Sequence, residues 1–310
     1  MNAAAIDLQA GAGGRVRLRS EFAALAPEAL LAHFRATCAP RWFAVPDPVE
    51  TGRAKIDGIV DGVFTFNGET HRLGRRFDWL VNPSVDVEWH ILLHKFYYAT
   101  GLAMAHAETG DARYAERWCE LTSTWIDAVG PGFIAADVTG RRVQNWIYAY
   151  RHFVGEARPA CVTPAFHERL LASLEVQVEY LCAHLTPKRN HRTLELYAIF
   201  LAGVAFPEFE RAGAWREFAL AELVRNASAD LLPDGVHCEL STDYHHLVVK
   251  NWLCVRRLAV MNGVAVPHEF DAALGRALDF SMHVHKPDGV VPALSDGDAR
   301  SFVDLLQQGA

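Results

Sequence analysis

Two short segments hold most of the residues whose types could do chemistry together. The first, Lys188-Arg189-Asn190-His191-Arg192-Thr193-Leu194-Glu195, follows Pro187 and opens a helical pattern. An amide, an imidazole and guanidiniums at a helix start describe an anion site, because unpaired backbone N–H groups and the helix dipole favour negative charge there. The same spacing has a packing alternative, with Asn190 as the N-cap and His191 and Glu195, four apart, as a structural pair. Both readings stand on the sequence alone.

The second segment is Asp234-Gly235-Val236-His237-Cys238-Glu239-Leu240-Ser241-Thr242-Asp243-Tyr244-His245-His246. It leaves a Pro-Asp-Gly turn and enters a helix through Ser241 or Thr242. Capping explains the serine, threonine and aspartate. It does not explain His237, Tyr244, His245 and His246 together, so binding and proton transfer are the favoured reading. A third set, Arg141-Arg142-Val143-Gln144-Asn145-Trp146, offers two guanidiniums, two amides and an indole for glycan contact. Its alternative is an exposed helix end carrying a buried Trp146.

Metal and cofactor chemistry find little support. His90 and His94 are four apart, as in a helical zinc pair, but the glutamate of H-E-x-x-H is missing. Cys38, Cys119, Cys161, Cys182, Cys238 and Cys254 are scattered singly, with no C-x-x-C, and read as buried thiols. His283 and His285 sit near a helix end, where the dipole accounts for them. The glycines of 11–14 follow no strand, and neither G-x-S-x-G nor a phosphate-loop motif occurs. The expectation is no metal and no cofactor.

The elements that must position these residues are overwhelmingly helical. An apolar stripe at three- and four-residue spacing runs over 21–36. The stretch 58–73 is the clear exception, alternating Val60, Val63, Phe64 and Phe66 around Asn67-Gly68 as a hairpin. Helices are then expected at about 88–109, 112–128, 141–154, 164–184, 191–205, 212–232, 242–262 and 268–285, separated by Pro and Gly breaks. Short connections predict antiparallel helical hairpins. Such hairpins build either a solenoid or a closed ring, and the lack of a self-similar period argues for the ring. Residues 301–310 start another apolar stripe, which predicts that further chain follows to cover it.

Composition excludes other classes. The chain has 310 residues, enough for two domains or one large one. With 51% hydrophobic and 22% charged residues it is globular rather than disordered. Thirty Lys and Arg against 37 Asp and Glu give −7, which speaks against a nucleic-acid binder but leaves room for a locally basic cleft. No apolar run approaches a membrane span, and the first twenty residues lack the basic start and apolar core of a signal peptide. The chain as given reads as cytoplasmic; a removed leader would make it periplasmic or secreted. The oligomeric state stays open.

From about Phe77 onward the sequence resembles the N-terminal domain of the heparinase II/III family of polysaccharide lyases. The resemblance rests on FDWLVNPSVDVEWH, TGDARYAERWCELTSTWI, RRVQNWIYAY, NHRTLELYAIFLAGVAFPE, LLPDGVHCELSTDYHHLVV and KPDGVVPALSDGD. Asn190-His191 followed by Tyr244, 54 residues after Asn190, is its most specific part. It implies an all-α fold, an incomplete (α/α) toroid, followed in the family by a β-sandwich that supplies a further catalytic histidine and is absent from this chain. The implied organisation is a helical segment plus hairpin over 1–76 and a toroid over 77–310.

The resemblance also implies β-elimination on an anionic, uronic-acid-containing glycan. Asn190 and a protonated His191 would hold the uronate carboxylate and stabilise the enolate-like charge. Tyr244 would take the C5 proton, helped by nearby His245 or an arginine, and then protonate the leaving oxygen. Arg141, Arg142, Gln144, Trp146, Arg192, His237, Glu239 and His245 would bind or position substrate. Two rivals are kept. A glycoside hydrolase would need two opposed carboxylates, drawn from Asp234, Glu239 and Asp243. A glycan-binding module would turn nothing over.

Overall fold

The computed structural model describes residues 16–37 and 41–309. Cys38 and the glycines of 11–14 lie outside the described residues. The chain divides into two compact units, one comprising residues up to 183 together with 208–210, the other 184–207 and 211 onward.

The first unit holds α1 (Ser20–Ala23), α2 (Pro27–Thr37), α3 (Arg53–Val60), β1 (Val63–Phe66), β2 (Glu69–Arg72), α4 (Val87–Lys95), α5 (Tyr97–Thr109), α6 (Ala112–Ala128), α7 (Ala136–Tyr150) and α8 (Pro164–Ala183). A π-helical segment, Arg151–Ala157, continues α7. The expected helix over 21–36 is split, because Pro27 takes the first position of α2, where its missing N–H is harmless, and disfavours helix for the residue before it. Helix α3 runs into the stretch read as extended, so only 63–72 is hairpin. There Asn67 and Gly68 have φ of 49° and 77°, as a type I′ turn requires. Phe64 and Phe66 alternate inward from β1 and are buried, and the hairpin packs on α3 and α4.

The helix expected over 88–109 is broken at Phe96, which adopts a left-handed φ of 58°. Packing holds it there: the Phe96 ring is fully buried and stacks on Trp79 at 5.5 Å and 16°. Around it Trp125, Trp146 and Tyr98 close an aromatic core. Each such ring contributes about 2 kcal/mol by leaving water.

The second unit holds α9 (Arg189–Ala205), α10 (Ala212–Asp230), α11 (Thr242–Met261), α12 (His268–Val284) and α13 (Val303–Gly309). Helix α9 packs against α10 and α11, and α12 against both of those. Fourteen of the seventeen residues of α9 are buried, which is why its apolar residues run around the helix instead of forming a stripe. The stripe at the end of the chain finds cover inside this unit. Leu305 is buried, α13 contacts α11 and α12, and Phe302 lies flat on His246 with ring centroids 4.1 Å apart. The thiols are less buried than expected: Cys119 and Cys254 are buried, whereas Cys161, Cys182 and Cys238 are partly exposed. No helix is long and apolar enough to cross a membrane among the described residues.

Candidate active site

The second chemical segment is shaped by a tight return. Beyond Asp230 the chain turns through Pro233-Asp234-Gly235 and comes back beside itself, with Leu232 N–H donating to Val236 O at 2.8 Å and Cys238 N–H to Asp230 O at 2.8 Å. Gly235 has φ of 88°, and a Cβ there would lie 2.2 Å from the Arg276 carbonyl oxygen, so the turn demands glycine. The return delivers His237, Cys238 and Glu239 to the start of α11. Ser241 caps that helix, its Oγ accepting from Tyr244 N–H at 3.2 Å.

The first segment folds against these residues. Asn190 is not the N-cap; Lys188 holds that position without a side-chain bond, and Asn190 lies inside the first turn. Its side chain turns instead to Glu239, with Nδ2 donating to Oε2 at 2.8 Å and to Oε1 at 3.0 Å. A carboxylate only accepts, so the amide must present its nitrogen to Glu239. The Asn190 backbone N–H also points at Glu239 Oε2, at 3.3 Å, and Arg189 N–H donates to Asp230 Oδ2 at 2.5 Å. The anion site expected at the α9 start is thus met by two carboxylates of the protein itself. Of the two side chains expected to meet an anion, Asn190 is buried against Glu239 and His191 is exposed.

Behind Glu239 the network continues inward. The His237 ring is fully buried, with Nδ1 3.4 Å from Glu239 Oε2. Burial lowers its pKa, against the pull of Glu239 and Asp230. His237 N–H donates to His245 Nδ1 at 3.3 Å, and His245 Nε2 bonds Ala277 O at 3.1 Å and Ser281 Oγ at 3.0 Å. Burial pushes the His245 pKa down to about 3. His245 is therefore neutral and enclosed. It supplies neither a substrate contact nor the positive charge that was to activate Tyr244. His246 is likewise held down to about 4 by burial and bonds Thr242 O. Tyr244, beside them on the first turn of α11, is half-buried, and its hydroxyl has no hydrogen-bond partner among the described residues.

The other predicted contacts are largely committed to the protein. Arg192 donates to Thr186 O at 2.9 Å and pairs with Glu222, which also holds Arg225. Its guanidinium is neutralised rather than offered. In the first unit Arg142 is fully buried, bonded to Gln177 Oε1 at 2.7 Å and Pro131 O at 2.9 Å, and lies 3.9 Å over the Trp125 ring. Burial lowers its pKa to about 9. Trp146 is fully buried between Phe96 and Trp125. Gln144 is buried and accepts from Arg141 at 2.9 Å, which leaves Arg141 as the partly exposed member of this set. Arg142, Gln144 and Trp146 are packing groups, not surface contacts.

His90 and His94 do not form a metal pair. Their Nε2 atoms are 3.2 Å apart and both face Trp79 O. Trp125 donates to His94 Nδ1 at 3.0 Å, so Nε2 of the neutral ring carries the proton and has no lone pair to give. Sequence reasoning overlooked Asp230. Its signal was available: an acidic residue at a helix C-terminus opposes the dipole and needs a reason to be there.

Residues 21–308 match the family model described as Heparinase II/III N-terminus. A heparin-sulfate lyase of Pedobacter heparinus is 31% identical over 180 residues, which cover 56% of this chain and 27% of that protein. A heparin-sulfate lyase of Bacteroides stercoris is 23% identical over 260 residues, 76% of this chain and 39% of that protein. A solved heparinase III with methylated lysines superposes with a TM-score of 0.74 at 22% identity, over 91% of this chain and 48% of that one. The heparan sulfate lyase structure from Pedobacter heparinus gives 0.72 at 24% identity, over 86% and 45%. The chain spans less than half the length of each of these proteins. The structural likeness establishes the fold class as all-α, the incomplete toroid of helical hairpins that the resemblance implied. The chain belongs to the heparinase II/III family and carries its N-terminal region.

Proposed function

We propose that this chain is the helical part of a polysaccharide lyase that cleaves a uronic-acid-containing glycan by β-elimination. The observation that supports this most is the contrast between two residues of one unit. Asn190 is held rigidly by Glu239, while the half-exposed Tyr244 hydroxyl has no protein partner among the described residues. A positioned amide and an uncommitted phenol, carried by two helices that pack together, are the group types that elimination next to a carboxylate requires.

In this reading the uronate carboxylate is met by Asn190 and by His191. Tyr244, as the phenolate, takes the C5 proton; the C4–O bond breaks and the C4–C5 double bond forms. The phenol then returns that proton to the leaving oxygen. Activation of Tyr244 falls to a cation other than His245, which is neutral. Glu239 and His237 position Asn190 and do not touch substrate. The names of the relatives point to heparin and heparan sulfate as the substrate class, and a further histidine would come from the β-sandwich the family resemblance implies.

The hydrolase reading loses ground because its carboxylates are occupied. Glu239 holds Asn190, Asp234 bonds Val236 N–H within its own turn, and Asp243 pairs with Arg300 at 3.3 Å. The test is the full-length protein incubated with heparan sulfate, heparin, alginate and hyaluronate. Ultraviolet absorbance of an unsaturated uronate is the expected result. Saturated reducing ends alone, or binding without turnover, overturn it.

A further inference from the structure

We propose that Asp230, His237 and Cys238 form a zinc site that braces the Glu239–Asn190 pair from behind. One donor atom from each of the three lies within 4.8 Å of the others. Carboxylate oxygen, imidazole nitrogen and thiolate sulfur are the donor types that zinc combines, and three protein ligands with a water complete a tetrahedron. Tetrahedral zinc needs its donors about 3.5 Å apart, so side-chain rotations of about an ångström close the site.

Two features prepare the site. The backbone is fixed where the ligands leave it: Asp230 ends α10, and Cys238 N–H bonds the Asp230 carbonyl at 2.8 Å, with Leu231 bridged to His237. The glycine demanded at 235 holds that return shut. The second feature points to a ligand directly. His237 is fully buried, and its Nε2 has no hydrogen-bond partner, a costly state for a buried ring nitrogen. Nδ1, the other ring nitrogen, faces the Glu239 carboxylate at 3.4 Å and the Glu239 backbone N–H at a long 3.5 Å. A carboxylate on one imidazole nitrogen and a metal on the other is the usual way a ligating histidine is oriented. Zinc on Nε2 would require the tautomer with its proton on Nδ1, which gives up the long contact from the Glu239 N–H and instead donates to the Glu239 carboxylate that grips Asn190. Binding releases the Cys238 thiol proton to solvent.

This inference reverses the expectation of no metal. The sequence hid the site because its ligands come from a helix end and a returning loop, at a spacing no helical or C-x-x-C pattern describes.

The experiment uses the full chain, stripped with chelator and titrated with Zn2+ and, separately, Co2+. We expect about one zinc bound per chain by elemental analysis, and a near-ultraviolet thiolate-to-cobalt band on adding Co2+. Cys238→Ser should abolish that band and weaken zinc binding about a hundredfold, with the helical circular dichroism unchanged. His237→Gln should weaken zinc binding similarly. If His237→Gln does not fold, the Cys238→Ser result alone decides. Failure of the wild-type chain to hold stoichiometric zinc, or a Cys238→Ser variant that binds both ions like wild type, overturns the proposal. The readout is metal content, so it stands or falls independently of lyase activity.

Discussion

The Asn190 amide nitrogen lies 2.8 and 3.0 Å from the two carboxylate oxygens of Glu239, 49 residues later in the chain. That contact settles the orientation of the amide, satisfies a backbone N–H of the first turn of α9, and ties α9 to the loop before α11. Glu239→Ala removes all three effects. Charge-assisted bonds of this kind are worth about 2 kcal/mol, so a loss of that order is expected in urea denaturation. In the full-length protein the elimination rate should fall by about tenfold or more. An unchanged rate would show that Asn190 needs no support from Glu239.

Tyr244→Phe keeps the ring and removes the hydroxyl, which bonds no described residue. Stability should change by less than about 0.5 kcal/mol. Turnover of the full-length protein should drop about a hundredfold or more, the scale of a general acid–base group, with little change in substrate affinity. Near-normal turnover would move the base to another residue, and His245 is an unsuitable successor because it is enclosed.

Acid should destabilise the fold through buried neutral histidines. Burial lowers His94, His167 and His245 to about 3 and His246 to about 4, from an ordinary 6.5. Between those values and 6.5 the unfolded chain binds protons that the folded chain does not, so stability rises with pH across that window. Each group removes about 1 kcal/mol per pH unit as pH falls below 6.5. Denaturation midpoints at pH 7 and pH 5 should therefore differ steeply. Equal midpoints would mean that these rings are protonated in the fold.

Gly235→Ala places a Cβ 2.2 Å from the Arg276 carbonyl oxygen at a φ of 88°. Both the clash and the left-handed backbone oppose it, and a loss of about 2 kcal/mol or more is expected. Thermal denaturation gives the measure. A fully stable alanine variant would show that the return loop is not locked by its turn.

Several features of this chain were legible from local sequence because local rules produce them. Asn67-Gly68 makes the hairpin because it accepts positive φ on both residues. Asp111 caps α6 at the position where the helix was expected to begin, and Ser241 caps α11. The polar segment around Tyr244 stood out because capping could not explain its tyrosine and histidines, whereas the one around Asn190 left capping and anion binding equally open. Tertiary structure decided what pairing across many residues controls. The break at Phe96 exists because Trp79, Trp125 and Trp146 enclose that ring, and no neighbouring residue signals it. Arg142 and Trp146 looked like a glycan contact until packing of α7 against α4, α5 and α8 placed them inside. The partner of Asn190 was likewise invisible in its own segment. A polar side chain states what it can bond, but only the packing of α9, α10 and α11 brings Glu239 and Asp230 to the helix start and withholds water from His237 and His245.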